Sequence, residues 1–299
     1  MNGQQRLAVQ LMIGQGILFA AETMTIHQIG SRVSIVQLAL IRGAAGLVLA
    51  LIYARSVGCA VVRTQQLGLQ LLRGAISLVY LWVMLYSFSR LPFADATALS
   101  YTQAASIVVF SALILGEAVS PSCWAAAAIG ILGGLLIAKP SFAGWNSTYL
   151  IALAGASLNG LAFVLNRYLQ RRDTQHTTMF YANLVQAAGN LPVFFLLNRF
   201  DFAATPLIGG LFLFGPIGMY LGIVAVKHAK ASVLGPYTLL RLVIGIGAGL
   251  FIFNEHPDVW SGLGALLILI SCLLSTGVLP VKAVILRAAG MRTAGANLD

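Results

Sequence analysis

Charged side chains are scarce in this chain of 299 residues, of which only 9% are Asp, Glu, Lys or Arg. A soluble globular domain carries about 25% charged residues. Because 59% of the residues are hydrophobic, the few charges are insufficient to coat a surface that faces water. The composition therefore excludes a soluble enzyme, a disordered chain and a nucleic-acid-binding domain. It indicates an all-α polytopic membrane protein whose main surroundings are the lipid bilayer.

Clustered cysteines, clustered acids and nucleotide-binding loops are also missing. The three cysteines, Cys59, Cys123 and Cys272, are scattered without CxxC spacing, so we expect neither a disulfide framework nor a metal site. The eight Asp and Glu residues never cluster, whereas a membrane-bound prenyl or phosphoryl transferase needs clustered carboxylates for magnesium. No GxxxxGK(S/T) loop occurs, so a phosphate-binding loop is not expected. We expect no cofactor and no enzymatic activity.

Ten hydrophobic segments are long enough to cross a bilayer, because a spanning helix needs about 20 mostly apolar residues for a hydrocarbon core of ~30 Å. The breaks between them carry turn-forming residues such as Pro92, Pro121 and Pro140. The predicted spans are residues 7–27, 34–55, 69–89, 94–115, 121–139, 147–168, 177–198, 206–227, 233–253 and 259–279. The loops leave no room for a soluble domain that hydrolyses ATP.

The basic residues predict the orientation of these spans. With ten spans, both termini share one side with the loops that follow spans two, four, six and eight. That side carries Arg6, Arg55, Arg63, Arg73, Arg167, Arg171, Arg172, Lys227, Lys230, Lys282, Arg287 and Arg292, whereas the other side carries Arg32, Arg90, Lys139 and Arg199. The bias predicts both termini in the cytoplasm of a bacterial cell. The net charge of +10 therefore reports topology rather than a nucleic-acid partner.

The two halves of the chain resemble each other at an offset of 138 residues. Glu117 and Glu255 align at that offset, each just after a predicted span, and a glycine-rich helix follows both of them. The stretches 93–96 and 231–234 align in the same way. An odd number of spans in each copy places the second copy upside down, and inverted repeats are typical of secondary transporters.

The order of these motifs resembles the drug/metabolite transporter superfamily of the EamA type, and most of all the bacterial YddG-like amino-acid exporters. The resemblance covers nearly the whole chain and depends on Gly116-Glu117, Asn254-Glu255, Gly262-Leu-Gly264, Arg42 and Arg90-Leu-Pro92-Phe-Ala94. Asn254 stands where glycine is usual in the family. The resemblance implies ten helices, arranged as two inverted five-helix repeats around a central cavity, with alternating access by rocking of the repeats.

We therefore predict a first five-helix repeat at residues 1–140, a second, inverted repeat at 141–285 and a cytoplasmic tail at 286–299. Three ionisable side chains inside or beside the spans are candidates for an ion pair or for proton coupling, namely Glu22, Arg42 and His27. Glu22 and Arg42 are at similar depths, so a structural ion pair between neighbouring helices is the alternative to a role in transport. For His27, the alternative to a role in proton coupling is an ordinary position at the membrane interface.

Polar and aromatic residues deep inside the spans are candidates for substrate binding. Tyr101 and Asn159 are the first choices, because both lie too deep for interfacial anchors. Arg241 has a bidentate guanidinium that suits a substrate carboxylate; pairing with backbone carbonyls or snorkelling is its alternative. The further candidates are Tyr80, Ser100, Phe163 and Tyr237. Trp82, on the span of Tyr80, is expected to face lipid.

These observations predict a secondary transporter that exports small metabolites, most plausibly amino acids, including aromatic or other apolar ones, across the bacterial cytoplasmic membrane. The identity of the substrate comes from the family resemblance. Without an ATP site, a gradient of substrate, of protons or of both drives the transport. The alternatives are an exporter of a nucleoside or a drug, an integral membrane enzyme, and a channel, although a channel would need rings of charge or carbonyl filters. We expect a monomer to be functional.

Overall fold

Helices make up nearly all of the chain that the computed structural model describes, which comprises residues 3–29, 33–57, 59–138, 147–197, 205–228 and 240–275. The helices are α1 (Gly3–Ile29), α2 (Ile35–Val57), α3 (Leu67–Arg90), α4 (Phe93–Ser100), α5 (Gln103–Leu115), α6 (Pro121–Ala138), α7 (Ser147–Leu169), α8 (Gln175–Leu197), α9 (Thr205–His228), α10 (Leu240–Phe251) and α11 (Val259–Ser275). A single 3-10 turn, Cys59–Val62, lies between α2 and α3. These residues contain no strand.

Five stretches are long and apolar enough to cross a membrane by length and composition, among the residues that are described. They are Gly3–Ile29, Ile35–Ile52, Leu67–Arg90, Phe93–Leu115 and Ser147–Leu169. Shorter apolar stretches, Cys123–Ala138, Leu213–Gly222, Arg241–Phe251 and Val259–Leu274, fall within four more of the predicted spans. The predicted all-α polytopic membrane fold is confirmed. The boundary of the halves at residues 140 and 141, the tail 286–299 and Tyr237 lie outside the described residues.

Small residues allow α6 and α11 to pack backbone against backbone. A Cβ atom at Gly133 would lie 2.7 Å from the Gly264 carbonyl oxygen, and one at Gly264 would lie 2.6 Å from the Gly133 carbonyl oxygen. The Ser271 hydroxyl donates a hydrogen bond of 2.6 Å to the Ala126 carbonyl. Such contacts hold helices together in lipid, where no hydrophobic effect drives their association.

Contrary to the prediction that Trp82 faces lipid, its indole N–H contacts another helix of the bundle. Its indole Nε1 donates a hydrogen bond of 2.7 Å to Oδ1 of Asn190 on α8, and Asn190 is fully buried. An indole N–H inside a membrane needs an acceptor within the protein, and the Asn190 amide supplies one. The bond ties α3 to α8.

The backbone repeats itself at the offset of 138 residues. Among the described residues, only Gly116 and Asn254 have left-handed φ angles, of 64° and 52°. Gly116 directly follows α5, and Asn254 lies three residues after the end of α10. Each precedes an acid whose backbone amide donates to the carbonyl of the residue six positions back: Glu117 to Ser111 and Glu255 to Gly249. Asparagine adopts the left-handed conformation more readily than most residues with a side chain, which is why Asn254 can replace the usual glycine.

The two copies of this turn lie on opposite sides of the membrane, and the length of α7 gives the distance between them. Glu117 pairs with Arg167 near the end of α7, with 3.0 Å between Oε1 and Nη2. Glu255 lies beside Tyr149 at the start of α7, where both line one cavity. Eighteen helical residues separate Tyr149 from Arg167, or about 27 Å at 1.5 Å per residue. The repeats are therefore inverted. We name the face where α7 begins the outer face and the face where α7 ends the inner face.

A buried carboxylate fastens the inner face. Asp173, in the turn after α7, is only 8% exposed. It accepts hydrogen bonds from the Thr64 hydroxyl at 2.5 Å, the Gln70 amide at 2.7 Å and the Gln65 backbone N–H at 3.3 Å. Burial raises the pKa of Asp173, but these three donors outweigh it and lower the pKa below its ordinary value of 3.8. The carboxylate thus joins the loop after α2 to the turn before α8.

We expect Asp173→Asn to destabilise the protein by about 1–3 kcal/mol, because the amide weakens several charge-assisted hydrogen bonds. The midpoint of thermal unfolding in detergent should fall by several degrees at neutral pH. A carboxylate whose folded pKa is lowered stabilises the protein above its ordinary pKa, and that stability is lost as the pH falls through the folded pKa. The difference between wild type and variant should therefore shrink below about pH 4.

Glu117→Gln is the matched control, because it removes an acid from the same face. Its pair with Arg167 is exposed, with 36% of the Glu117 side chain and 59% of the Arg167 side chain accessible. Exposed pairs contribute about 0–1 kcal/mol, so this variant should melt close to the wild type. Equal melting midpoints for the two variants would contradict the role assigned to Asp173.

Candidate functional site

A cavity of about 320 Å³ lies in the middle of the helix bundle. We call it the central cavity. Its lining residues come from α1, α3, the α4–α5 segment, α7, α10 and α11, so both repeats contribute to it. They are Met12, Gln15, Gly16, Phe19, Tyr80, Ser100, Tyr101, Gln103, Ala104, Ile107, Asn159, Arg241 and Cys272.

A break in the fourth span presents polar groups to the central cavity. The sequence predicts one continuous helix over residues 94–115, but the structure has a tight turn at Tyr101 and Thr102, between α4 and α5. Their amides donate to the carbonyls of Ala98 and Leu99 at 3.0 Å, which is the i to i+3 pattern of a 3-10 turn. The Thr102 hydroxyl also donates to the Leu99 carbonyl, at 2.7 Å. Such back-bonding by threonine competes with the regular helix.

Five of the predicted substrate-binding residues line the central cavity: Tyr80, Ser100, Tyr101, Asn159 and Arg241. Their role as ligands stays a prediction. Phe163 is not among the lining residues and is 54% exposed. The Asn159 amide donates a hydrogen bond to Oε1 of Gln103, and the Ser100 hydroxyl donates to the Thr97 carbonyl at 2.7 Å. The guanidinium of Arg241 lies over the Phe19 ring, 5.2 Å from its centroid.

Eight of the thirteen lining residues are not among the candidates predicted from the sequence, namely Met12, Gln15, Gly16, Phe19, Gln103, Ala104, Ile107 and Cys272. Gln15 is a polar residue in the middle of the first span, and that depth alone marks it as a candidate. Phe19 and Cys272 carry no such signal, because apolar residues fill most positions of these spans. Tertiary packing brings them to the cavity, because α1 packs against α3, α9 and α10, and α11 packs mainly against α6.

Glu22 and Arg42 form the expected ion pair. Nε of Arg42 donates to Oε1 of Glu22 at 2.5 Å, and the glutamate is only 2% exposed. Neither residue lines the central cavity, and their bond ties α1 to α2. Any role of the pair in coupling stays a prediction.

Four aromatic side chains from α1, α3, α4 and the segment after α10 pack together near the outer face. Phe93 is fully buried and Phe88 is 2% exposed, with their ring centroids 5.7 Å apart. Phe253 lies 5.1 Å from Phe93, and the His27 ring meets Phe253 edge to face at 4.6 Å. We call these four residues the outer layer. It joins both repeats, because Phe253 follows α10.

Glu255 holds the outer layer in place. Its two carboxylate oxygens accept hydrogen bonds from the backbone N–H groups of Phe93 at 2.5 Å and Ala94 at 2.9 Å, at the first turn of α4. These N–H groups have no partner within the helix, and the helix dipole favours a negative charge there. Nε2 of His27 lies 3.6 Å from Oε1 of Glu255, and its Nδ1 is 2.8 Å from the Phe88 carbonyl oxygen.

A second cavity, of about 640 Å³, lies on the outer side of the outer layer, and we call it the outer vestibule. It is lined by His27, Ser89, Arg90, Leu91, Pro92, Ala94, Asp95, Tyr149, Glu255, His256, Pro257, Asp258 and Ser261. It shares no lining residue with the central cavity. His27 and Glu255 line the outer vestibule and not the central cavity.

Comparison with known proteins agrees with this architecture. The model of the EamA-like transporter family matches the chain twice, at residues 6–139 and 146–277. The pseudopaline exporter of Pseudomonas aeruginosa is 26% identical over 270 residues, which cover 89% of this chain and 94% of the exporter. The S-adenosylmethionine uptake transporter of Rickettsia prowazekii is 25% identical, covering 70% of this chain and 71% of its own. A riboflavin transporter of Rhizobium johnstonii is 26% identical, covering 73% and 72%.

A solved crystal structure has the same fold. It superposes with a TM-score of 0.65 over 92% of this chain and 98% of the other chain. The sequence identity is 19%, so the likeness concerns the fold alone.

We expect Glu255→Gln to loosen the outer layer, because the neutral amide loses its charge interaction with the first turn of α4. Cys272 in the central cavity is a built-in probe of this change. In a background of Cys59→Ser and Cys123→Ser, a membrane-impermeant maleimide added at the outer face should label Cys272 several-fold faster in the variant.

Asp258→Asn is the control for this measurement. Asp258 lines the same vestibule but accepts from the Ser261 N–H at the start of α11, and asparagine caps a helix nearly as well. Labelling of Cys272 should stay at the rate of the parent. An unchanged rate in Glu255→Gln would mean that the carboxylate does not hold the layer closed.

Proposed function

This chain belongs to the EamA-like transporter family, and we propose that it exports small metabolites, in particular amino acids, by alternating access. Membership of the family makes it a multi-pass membrane transporter of small molecules and not an enzyme. Export, and amino acids as the substrate, are the parts that we add. We place the site of transport in the central cavity.

The position of the central cavity supports this proposal most strongly. It lies beside a broken span and between two inverted repeats, where secondary transporters bind their substrates. We propose that the outer layer separates it from the outer vestibule, with which it shares no lining residue. Because the repeats are inverted copies, an exchange of their conformations would open the outer side and close the inner side. The same cavity would then be accessible from each face in turn, as alternating access requires.

The chemistry of the lining matches an amino acid with an aromatic or apolar side chain. Arg241 supplies a planar donor pair for a carboxylate. The amides of Gln103 and Asn159 supply polar atoms for an ammonium group. The rings of Phe19, Tyr80 and Tyr101 offer an apolar surface for the side chain.

The direction and the substrate are open to a direct test, because the relatives named above differ in both. One exports pseudopaline, while others take up S-adenosylmethionine or transport riboflavin. An exporter of another small solute, such as a nucleoside or a drug, is therefore the second candidate. We place the protein in the bacterial cytoplasmic membrane with both termini in the cytoplasm. We propose that a monomer suffices for transport, because both repeats of a single chain contribute described residues to the lining of the cavity.

We expect purified protein in proteoliposomes to give saturable counterflow with an apolar amino acid such as phenylalanine. A carrier that alternates between two faces exchanges labelled for unlabelled substrate, whereas a channel does not. A panel of amino acids and nucleosides, assayed with and without an imposed pH gradient, tests the substrate class and proton coupling together. Flux without counterflow would replace the carrier with a channel.

Tyr101→Ala and Asn159→Ala should each reduce counterflow by about 10-fold or more, since each removes cavity-lining groups from the break or from α7. Leu113→Ala is the control, because Leu113 lies on the same interrupted span as Tyr101 but is 75% exposed. It should transport like the wild type. Insertion and thermal melting of each variant verify the fold. Unimpaired counterflow in both cavity variants would place the substrate elsewhere.

A further inference from the structure

The central cavity has an unbalanced positive charge. Arg241 is the only Lys, Arg, Asp or Glu among its described lining residues. Its described contact is the face of the Phe19 ring, and no carboxylate pairs with it in the part of the chain that the structure describes. A buried cation needs a counter-charge when water is displaced from around it. The substrate is the component that can bring this charge.

The chain has eight acids, namely Glu22, Asp95, Glu117, Asp173, Asp201, Glu255, Asp258 and Asp299. None of the six that the structure describes lines the central cavity. Glu22 is bound to Arg42. Three lie at the outer vestibule, where Asp95 accepts from the Tyr149 hydroxyl at 2.8 Å. Glu117 and Asp173 lie on the inner face. Asp201 and Asp299 lie outside the described residues, in the loop before α9 and at the end of the chain.

The undescribed stretch beside Arg241 does not change this balance. Residues 229–239 contain Lys230 and no Asp or Glu. The sequence therefore supplies no acid between α9 and α10 that could neutralise Arg241. Among the described lining residues, Arg241 offers a full positive charge to a carboxylate, whereas an ammonium group meets uncharged groups such as the amides of Gln15, Gln103 and Asn159.

From this imbalance we infer that the substrate must carry a carboxylate and that its ammonium group is dispensable. The inference rests on the proposed function and narrows its substrate class. The transported species are organic carboxylates with an apolar or aromatic side chain, whether or not they carry an amine. One guanidinium matches one carboxylate, so a singly charged anion fits better than a dianion.

A substrate that carries a carboxylate but no amine makes transport electrogenic. A neutral zwitterion moves no net charge, whereas an amine-free carboxylate carries one negative charge outward in each cycle. An inside-negative potential of about 100 mV then favours its export by about 50-fold at equilibrium. The membrane potential by itself drives the export of these anions, without ATP and without a coupled proton.

Three probes of similar shape test the inference: phenylalanine, 3-phenylpropionate, which lacks the amine, and phenylalaninamide, which lacks the carboxylate. In proteoliposomes, 3-phenylpropionate should show counterflow. The concentration at which it half-inhibits phenylalanine counterflow should lie within about 3-fold of the half-saturating concentration of phenylalanine. Phenylalaninamide should compete about 10- to 100-fold more weakly, because it loses the charged bond to Arg241.

The outcomes separate this inference from the proposed function. Counterflow of phenylalanine without counterflow of 3-phenylpropionate would overturn the inference and leave amino-acid export standing. Strong competition by phenylalaninamide would also overturn it. Failure of phenylalanine together with success of 3-phenylpropionate would support the inference and correct the substrate of the proposed function. If neither phenylalanine nor 3-phenylpropionate shows counterflow, the inference is overturned and the result counts against amino-acid export.

The variants Arg241→Gln and Arg241→Lys test whether Arg241 causes the preference for a carboxylate. Gln should reduce 3-phenylpropionate counterflow by about 10- to 100-fold and remove the discrimination against phenylalaninamide. Arg241→Lys keeps the positive charge and should retain part of the 3-phenylpropionate counterflow and part of the discrimination against phenylalaninamide. Arg171→Gln is the matched control, because Arg171 also lies over an aromatic ring, that of Tyr168 at 5.3 Å, but on the inner face. It should leave selectivity unchanged. The probe comparison on wild-type protein decides the case if Arg241→Gln does not fold.

The charge movement has its own measurement. Efflux of 3-phenylpropionate from proteoliposomes should accelerate when valinomycin and a potassium gradient set an inside-negative potential, and phenylalanine efflux should respond less. Equal rates for 3-phenylpropionate at zero and at negative potential would contradict electrogenic export.

Discussion

A charge inside a bilayer must find its counter-charge within the protein, and the arrangement of this chain follows from that requirement. Water is not available to solvate a buried carboxylate or guanidinium, so pairing must be close and specific. Glu22 meets Arg42 at 2.5 Å, and Glu255 meets the first turn of α4. Arg241 lies at the central cavity, which no described acid lines. The ionised side chains of Glu22 and Arg42 thus pair with each other, whereas Arg241 is left to the cavity that we propose for the substrate.

The inverted repeat places one motif in two environments. Gly116-Glu117 and Asn254-Glu255 share the left-handed turn and the same backbone hydrogen bond. Glu255 nevertheless binds a helix terminus beside the outer layer, whereas Glu117 lies at the inner surface beside an exposed arginine. Two copies of one sequence motif therefore adopt different contacts at the two faces. Such asymmetry between equivalent elements fits the alternating access that we propose for this transporter.

Much of this was predictable from sequence, and the failures have physical causes. Charge scarcity and hydrophobic length predict the all-α membrane fold, and the offset of Glu117 from Glu255 predicts the repeat. The break at Tyr101 was not predictable, because it contains neither proline nor glycine and depends on side-chain bonds to the backbone. Trp82 found a partner in Asn190, which is 108 residues away, and no local pattern reports such a contact. Gln15 had a signal in its depth, while Phe19 and Cys272 had none.

The short helix α4 connects the outer layer to the central cavity. Its first turn is held by Glu255, and its last residue, Ser100, lines the central cavity. Seven residues separate Phe93 from Ser100, or about 10 Å of a rigid helix. A 3-10 turn at Tyr101 and Thr102 separates α4 from α5, and Ser100 and Tyr101 line the central cavity at that point. One short helix therefore links the contacts of Glu255 near the outer face to the lining of the central cavity.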